Sequence, residues 1–198
     1  LFSFVPFCER DPAKTIRGMV SVKFPGDRLM KKLSFATFVF LTINACTMAQ
    51  EPRVESKAYD AMLKTLLSHS VKEVSVKEAA AISNAVFIDT REKQEYNVSH
   101  LKNAVWVGYD DFEMSRVAGI SKQSKIVVYC SVGARSEKVS LKLKEAGYED
   151  VSNLYGGIFE WVNQEQPVYN DSGKTNKIHP YNRLWGVWLT EGEKDKGE

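Results

Sequence analysis

The chain has 198 residues, 43% hydrophobic and 26% charged, which is enough apolar material to bury a core and too much for a disordered polymer. Its formal charge of +2 hides an asymmetry: residues 1–32 hold seven Lys/Arg and three acids, so of the totals of 27 and 25 the remainder keeps 20 basic against 22 acidic residues. Beyond residue 32 there is no basic footprint, which argues against a nucleic acid as partner.

Residues 1–29 show neither helical nor strand period and are punctuated by Pro6, Pro12 and Pro25. They read as an upstream extension or a disordered tail, with Met30 as the start. Residues 30–49 read as a signal peptide: Lys31 and Lys32, then an apolar run of eleven residues from Leu33 to Ile43, too short to span a bilayer. Export to a bacterial cell envelope or periplasm is the expectation. Ile43-Asn44-Ala45-Cys46 resembles a lipobox, which would make Cys46 a lipidated membrane tether, whereas Thr47-Met48-Ala49 offers a small-x-Ala exit for a soluble product.

Residues 50–70 are a polar lead and a helix, with Ala58, Met62, Leu63, Leu66 and Leu67 on one face. Ser68-His69-Ser70 ends it and leaves His69 on the surface. From about residue 71 strands and helices alternate, beginning with a short strand near Val74. Ser75 and Glu78 form a capping-box pattern opening a helix through Ile82. Ala85 to Thr90 is a buried strand, and Asp89, Thr90 and Arg91 stand at its carboxyl end, the edge where open parallel sheets build sites. Glu92 to Val98 is a short helix leading through His100 to the strand Ala104 to Val107. His100 reads as a structural clamp using both ring nitrogens rather than a general base. Asp110 is placed to cap a helix that Gly119 ends. Lys125 to Tyr129 is a strand, and the helix from Ala134 to Ala146 turns Val139, Leu143 and Ala146 inward before Gly147 closes it. Val151 to Leu154 is the last strand, and Gly156-Gly157 turn the chain into a helix carrying Phe159 and Trp161. In residues 167–198 the character changes: 170–174 reads as a loop, Tyr181, Trp185 and Trp188 form an aromatic tail, and the end is charged. The tail is expected to pack back on its own domain, or else to cover the mouth of the site. The alternation predicts an α/β fold, an open parallel sheet with helices on both faces.

The chemistry concentrates in Val127-Val128-Tyr129-Cys130-Ser131-Val132-Gly133-Ala134-Arg135-Ser136. An apolar strand stops at a cysteine, a glycine-containing loop follows, and an arginine opens a helix. Amides of such a loop converge above the sulfur and, with the helix dipole and Arg135, favour thiolate over thiol. Of Cys8, Cys46 and Cys130 only the last lies in the globular part, so the domain has no internal disulfide and no resolving thiol. No Cys/His spacing suggests zinc.

Cys130-Ser-Val-Gly-Ala-Arg135-Ser136 resembles the active-site loop of the rhodanese family of sulfurtransferases. Phe87 to Glu92 with Glu95 to Ala104 resembles that family's other signature, and Asn153 to Ile158 with Trp161 its closing element. The resemblance covers about residues 71–166 and implies the rhodanese fold, with about five strands. It implies Cys130 as the nucleophile, and Ser131, Val132, Gly133, Ala134, Arg135 and Ser136 as the substrate-binding loop. Asp89, Arg91 and His100 take supporting roles. The expected reaction moves sulfane sulfur from an anion such as thiosulfate to cyanide or a thiol through a Cys130 persulfide, without metal or organic cofactor. Two other readings stand beside it: a cysteine phosphatase, although those resemble C-x5-R, one residue longer than the spacing here, and a non-catalytic binding module. The family usually has glycines where this chain has Ser99 and Asn103.

Overall fold

The apolar runs of the sequence become the strands of one sheet. The computed structural model describes residues 52–197, so Cys8, the proposed signal peptide and the lipobox at Cys46 lie outside the described residues. Strands β1 (Lys72–Val74), β2 (Val86–Asp89), β3 (Val105–Trp106), β4 (Lys125–Tyr129) and β5 (Asp150–Leu154) stand in the order β1-β5-β4-β2-β3. Every pairing is parallel. The expected α/β class and five-stranded parallel sheet are therefore present.

Side-chain alternation along β4 divides the core in two. Ile126 and Val128 join Val117, Tyr148, Val151 and the inward residues Val139 and Leu143 of α4 (Ala134–Glu145) on one face. Val127 and Tyr129 join Leu63, Leu154, Ile158 and Phe159 on the other, beneath α1 (Lys57–Leu66) and α5 (Gly157–Asn163). Burial on both faces is why this strand reads as an unbroken apolar run. The remaining helices are short and set by their caps: α2 (Val76–Ala81) carries the Ser75–Glu78 capping box, and α3 (Lys93–Val98) a reciprocal one between Glu92 and Glu95. Gly147, at φ +86°, closes α4, and the Tyr148 amide donates back to the Leu143 carbonyl at 3.1 Å.

Three local expectations are corrected. In α1 the buried residues are Tyr59 and Leu63, while Ala58 and Leu66 face solvent. The Tyr59 hydroxyl donates to the Gly156 carbonyl at 2.8 Å, which fixes the phase of the helix. Over 110–119 there is no α-helix, only a 3₁₀ turn, Met114–Val117. Arg116 reaches back to the Val107 carbonyl (2.6 Å) and to Asp111 (2.8 Å), and these contacts tie the segment as a turn. Residues 170–174 are not a loop but part of a hairpin, β6 (Val168–Asn170) with β7 (Gly173–Thr175), whose turn the Asn170 side chain closes by accepting from the Ser172 amide. The charged end supplies β9 (Glu193–Lys194), which pairs in parallel with β8 (Lys177–Ile178).

The tail packs back as expected. Val168, Ile178 and Leu189 are buried in the same core as α1 and α5, and Trp188 stacks on Tyr59 with centroids 5.2 Å apart. The described residues accordingly fall in one compact unit.

At the end of β2 an ion pair is completely enclosed. Arg91 and Asp89 are both 0% exposed; the guanidinium meets the carboxylate at 2.7 and 3.0 Å and also donates to the Ser99 carbonyl at 2.6 Å. This pins the strand end to the turn after α3. That turn needs no glycine: Ser99 is extended (φ −171°) and Asn103 adopts the left-handed φ of +57° that asparagine tolerates. Asp89→Ala would leave the buried guanidinium uncompensated, and about 3–5 kcal/mol of stability should be lost in urea unfolding. Asp150→Ala, which breaks only the exposed 3.6 Å pair with Lys72, should cost about 0–1 kcal/mol in the same measurement.

Candidate active site

Cys130 directly follows β4, at the carboxyl edge of the sheet where the chain runs from β4 to β5 on one side and from β2 to β3 on the other. In open parallel sheets that divergence makes the crevice where ligands bind. The loop after it is held by its carbonyls. Tyr129 O accepts from the Thr90 amide (3.0 Å) and hydroxyl (3.1 Å), Cys130 O from the Ile158 amide (2.9 Å), and Ser131 O from the Phe159 amide (3.1 Å). Gly133 O accepts from the Glu137 amide (3.0 Å) and the Asn153 side-chain amide (3.1 Å). The peptides among the described residues are trans, so the amides of Ser131, Val132 and Ala134 point the opposite way from these anchored carbonyls. Gly133, at φ +113°, turns its own amide onto the sulfur, with N···Sγ 3.1 Å. Gly157 permits the close approach behind the loop: a Cβ there would sit 2.4 Å from the Cys130 carbonyl oxygen.

Cys130 is 1% exposed, and burial pushes its thiol up. The Arg135 guanidinium and the Ser136 and Gly133 amides act in the other direction and prevail, so the thiol lies below the ordinary cysteine value. The sulfur is thus sheltered, yet held among donors rather than in hydrocarbon.

Arg135 is placed differently from the simple sequence expectation. Its two terminal nitrogens form a fork on Glu95 (2.8 and 2.9 Å), and one of them also donates to the Ser131 hydroxyl at 3.0 Å. Glu95 is 2% exposed; burial raises its carboxyl, but the Arg135 hydrogen bonds and charge bring it below the usual carboxylate range. Arg135 is therefore a charge already matched, lining the pocket beside the sulfur. The Ser136 hydroxyl is likewise committed, donating to Asn153 (2.7 Å) with the Gly133 carbonyl at 3.0 Å, so its direct role is to frame the loop. His100 is half-buried and lies on the seam with the tail: its Nδ1 bonds the Tyr96 carbonyl at 3.1 Å, its ring stacks on Tyr96, and its backbone pairs with Tyr169. It holds the turn through Nδ1 and through its own backbone to β6, rather than through the two ring nitrogens expected. Asp89 and Arg91 brace β2 as described.

A pocket of about 130 Å³ opens over the sulfur, lined by Cys130, Ser131, Val132, Ala134 and Arg135 and, from the tail, by Tyr181 and Trp185. A larger hollow of about 490 Å³ beside Gln94, Lys177 and Asp195 is lined by no cysteine, serine or histidine. Among the described residues no group of three His, Cys, Asp or Glu could hold a metal. Sequence reasoning gave no site role to Glu95 and Asn153, whereas Tyr181 and Trp185 stand at the mouth of the site, the alternative place read for the aromatic tail. Glu95 had one usable signal, its position three residues after Glu92, where a capping box places it.

The rhodanese-like domain family matches residues 74–164. The chain carries a rhodanese-like domain. Its three motifs, the Asp89 segment, the Cys130 loop and the Asn153–Trp161 element, all fall inside the matched span. Among curated relatives, tRNA uridine(34) hydroxylase of Hamiltonella defensa subsp. Acyrthosiphon pisum is 36% identical over 97 residues, 46% of this chain and 27% of that protein. The protein of the same name from Erwinia tasmaniensis is 39% identical over 83 residues, 39% of this chain and 24% of that one. The chain thus spans about a quarter of the length of these relatives. Solved structures that resemble it include thiosulfate sulfurtransferase from Pseudomonas aeruginosa, 19% identical over 57% of this chain and 23% of that one, with a TM-score of 0.47. A rhodanese with anions from E. coli is 24% identical over 43% of this chain and 98% of that one, with a TM-score of 0.38. The tail residues that wall the rhodanese-like pocket, Tyr181 and Trp185, lie beyond the matched span.

Alkylation by iodoacetamide reports the thiolate. In the wild type its rate should fall, as pH drops, through a midpoint below that of an ordinary cysteine thiol. Arg135→Met removes the largest opposing charge and leaves Glu95 unmatched, so the midpoint should move up.

Proposed function

We propose that the domain is a sulfurtransferase that carries sulfane sulfur on Cys130. The observation that carries this reading is the Cys130 sulfur receiving the Gly133 amide at 3.1 Å within a loop whose carbonyls are tied behind it. The Cys130 thiolate attacks the outer sulfur of a donor such as thiosulfate. The new S–S bond forms as the old one breaks, and sulfite leaves with the electron pair. The amides of Ser131, Val132 and Ala134 stabilise the oxygens of the departing group, and fixed dipoles rather than a side-chain base supply most of the acceleration. Attack by cyanide or a thiol on the outer sulfur of the persulfide returns the thiolate. No step calls for a metal or an organic cofactor.

A phosphatase is disfavoured by two features. Four residues separate Cys130 from Arg135, and the guanidinium fork that would grip a phosphoryl group is occupied by Glu95. The hydroxylation in the relatives' names belongs to proteins about four times the length of the shared segment. From that segment we infer only the cysteine chemistry, not a tRNA substrate. Wild-type protein treated with thiosulfate should gain the mass of one sulfur atom and transfer it to cyanide, and Cys130→Ser should do neither. Hydrolysis of p-nitrophenyl phosphate without sulfur transfer would reverse the assignment.

We also propose export, on the pattern of residues 30–49. The intact mass of the mature protein expressed in a bacterium should correspond to a chain beginning at Cys46 with added acyl groups, or at Gln50 for the soluble exit. A mature chain retaining residues 30–45 would count against both.

A further inference from the structure

The outer wall of the pocket is made by an arch of chain, residues 179–192, that lies outside the family's matched span. It is a fixed structure. At its feet β8 and β9 pair in parallel, and Leu189 is 1% exposed. Asn163 donates to the Trp188 carbonyl (2.9 Å) and accepts from the Thr190 and Glu191 amides. At its crest the Asn182 side chain accepts from the amides of Leu184 and Trp185, and the Asn182 carbonyl from that of Gly186. Tyr181 adopts a left-handed φ of +61°, with its amide held by His179 Nδ1 at 3.1 Å. Its ring lies 4.8 Å from the Arg135 guanidinium.

This wall changes what the pocket can hold. Apart from the cysteine itself, the space over the sulfur is bounded by Val132, Ala134, Trp185 and the Tyr181 ring together with Ser131 and Arg135, and these two polar side chains are already engaged with Glu95. A small dianion entering such a space is stripped of water on its outer side and meets aromatic carbon, at a cost the loop amides must offset. A donor with a single charge and an apolar body loses less hydration and gains contact with both rings.

Resting on the sulfur-transfer reading above, we propose that Tyr181 and Trp185 are specificity-determining residues. They select organic sulfane-sulfur donors, in which the transferable sulfur is borne by an apolar group, over inorganic thiosulfate. For an organic thiosulfonate the step balances as before: the Cys130 thiolate bonds the terminal sulfur, the bond between that sulfur and the sulfonyl sulfur breaks, and a sulfinate leaves with its electron pair.

The test compares kcat/KM for benzenethiosulfonate and for thiosulfate, with cyanide as acceptor, in the full chain and in Trp185→Ala and Tyr181→Ala. Each variant should lower the benzenethiosulfonate-to-thiosulfate ratio about tenfold, chiefly by raising KM for the aryl donor. The loss with benzenethiosulfonate should exceed any change with thiosulfate, and thermal unfolding of each variant matching that of wild type reports an intact fold. Leu184→Ala, at a side chain 74% exposed and off the pocket, should leave the ratio unchanged. Equal losses with both donors, or a ratio indifferent to both tail variants, would overturn the inference while leaving sulfur transfer standing. If neither donor loads sulfur on wild-type Cys130 by intact mass, sulfur transfer itself falls and takes this inference with it.

Discussion

The structure depends on the orientation of a handful of peptide planes. Between Tyr129 and Gly133 the carbonyls must point into the protein if the amides are to point at an anion, and a buried carbonyl left without a donor costs about 1–3 kcal/mol. Four elements supply those donors: Thr90 from the end of β2, Ile158 and Phe159 from the first turn of α5, Asn153 from β5, and Ser136 and Glu137 from α4. The sheet order brings β2, β4 and β5 together, so the donors converge on one loop. Gly157 sits where α5 presses its backbone against the loop, at a φ of +58° and with no room for a side chain. The fold is therefore a device for aiming amides, and the cysteine benefits because it stands at the first position of the loop.

Charge is arranged with the same economy. Burial alone would hold Cys130 as a neutral thiol, and donors in a sheltered site reverse that preference because they act at short range without competing water. Arg135 contributes to this, yet its own burial is tolerable only because Glu95 meets it with a two-point contact. The carboxylate limits what the guanidinium can do for an incoming anion. Neutralised in this way, the pocket relies on dipoles more than on net charge. Such dipoles favour a charge that forms at a fixed place.

Much of this was legible in the sequence, and the parts that were not share a physical cause. The central strands could be read because burial on both faces leaves an unbroken apolar run, as at Ile126 to Tyr129. Ser75 and Glu78, and Gly147, could be read because caps use fixed residue types at fixed spacings. The Cys130 loop could be read because strand, thiol, glycine and arginine stand consecutively. Glu95 was not read because an acid on a short helix ordinarily faces water, and only its partner 40 residues away makes its burial sensible. The helix expected over 110–119 failed because Arg116 reaches back to Val107 and Asp111, contacts that periodicity does not encode. The hairpin over 168–175 and the β8–β9 pair are strands of two or three residues, too short to show a period.

The tail illustrates how a segment without periodicity becomes rigid. Two residues of parallel pairing could not hold an arch by themselves, and Tyr181 adds a left-handed conformation that costs about 1–2 kcal/mol. Burial of Ile178 and Leu189 contributes about 1.5–3 kcal/mol each, and the Trp188–Tyr59 stack about 0.5–1.5 more. Asn163 and Asn182 satisfy the backbone that the arch exposes at its foot and crest. Tyr181 and Trp185 therefore meet a substrate as a standing wall, not as side chains that must be ordered on binding. The matched domain supplies the sulfur and its amides, and the segment beyond it supplies the shape of the space above them.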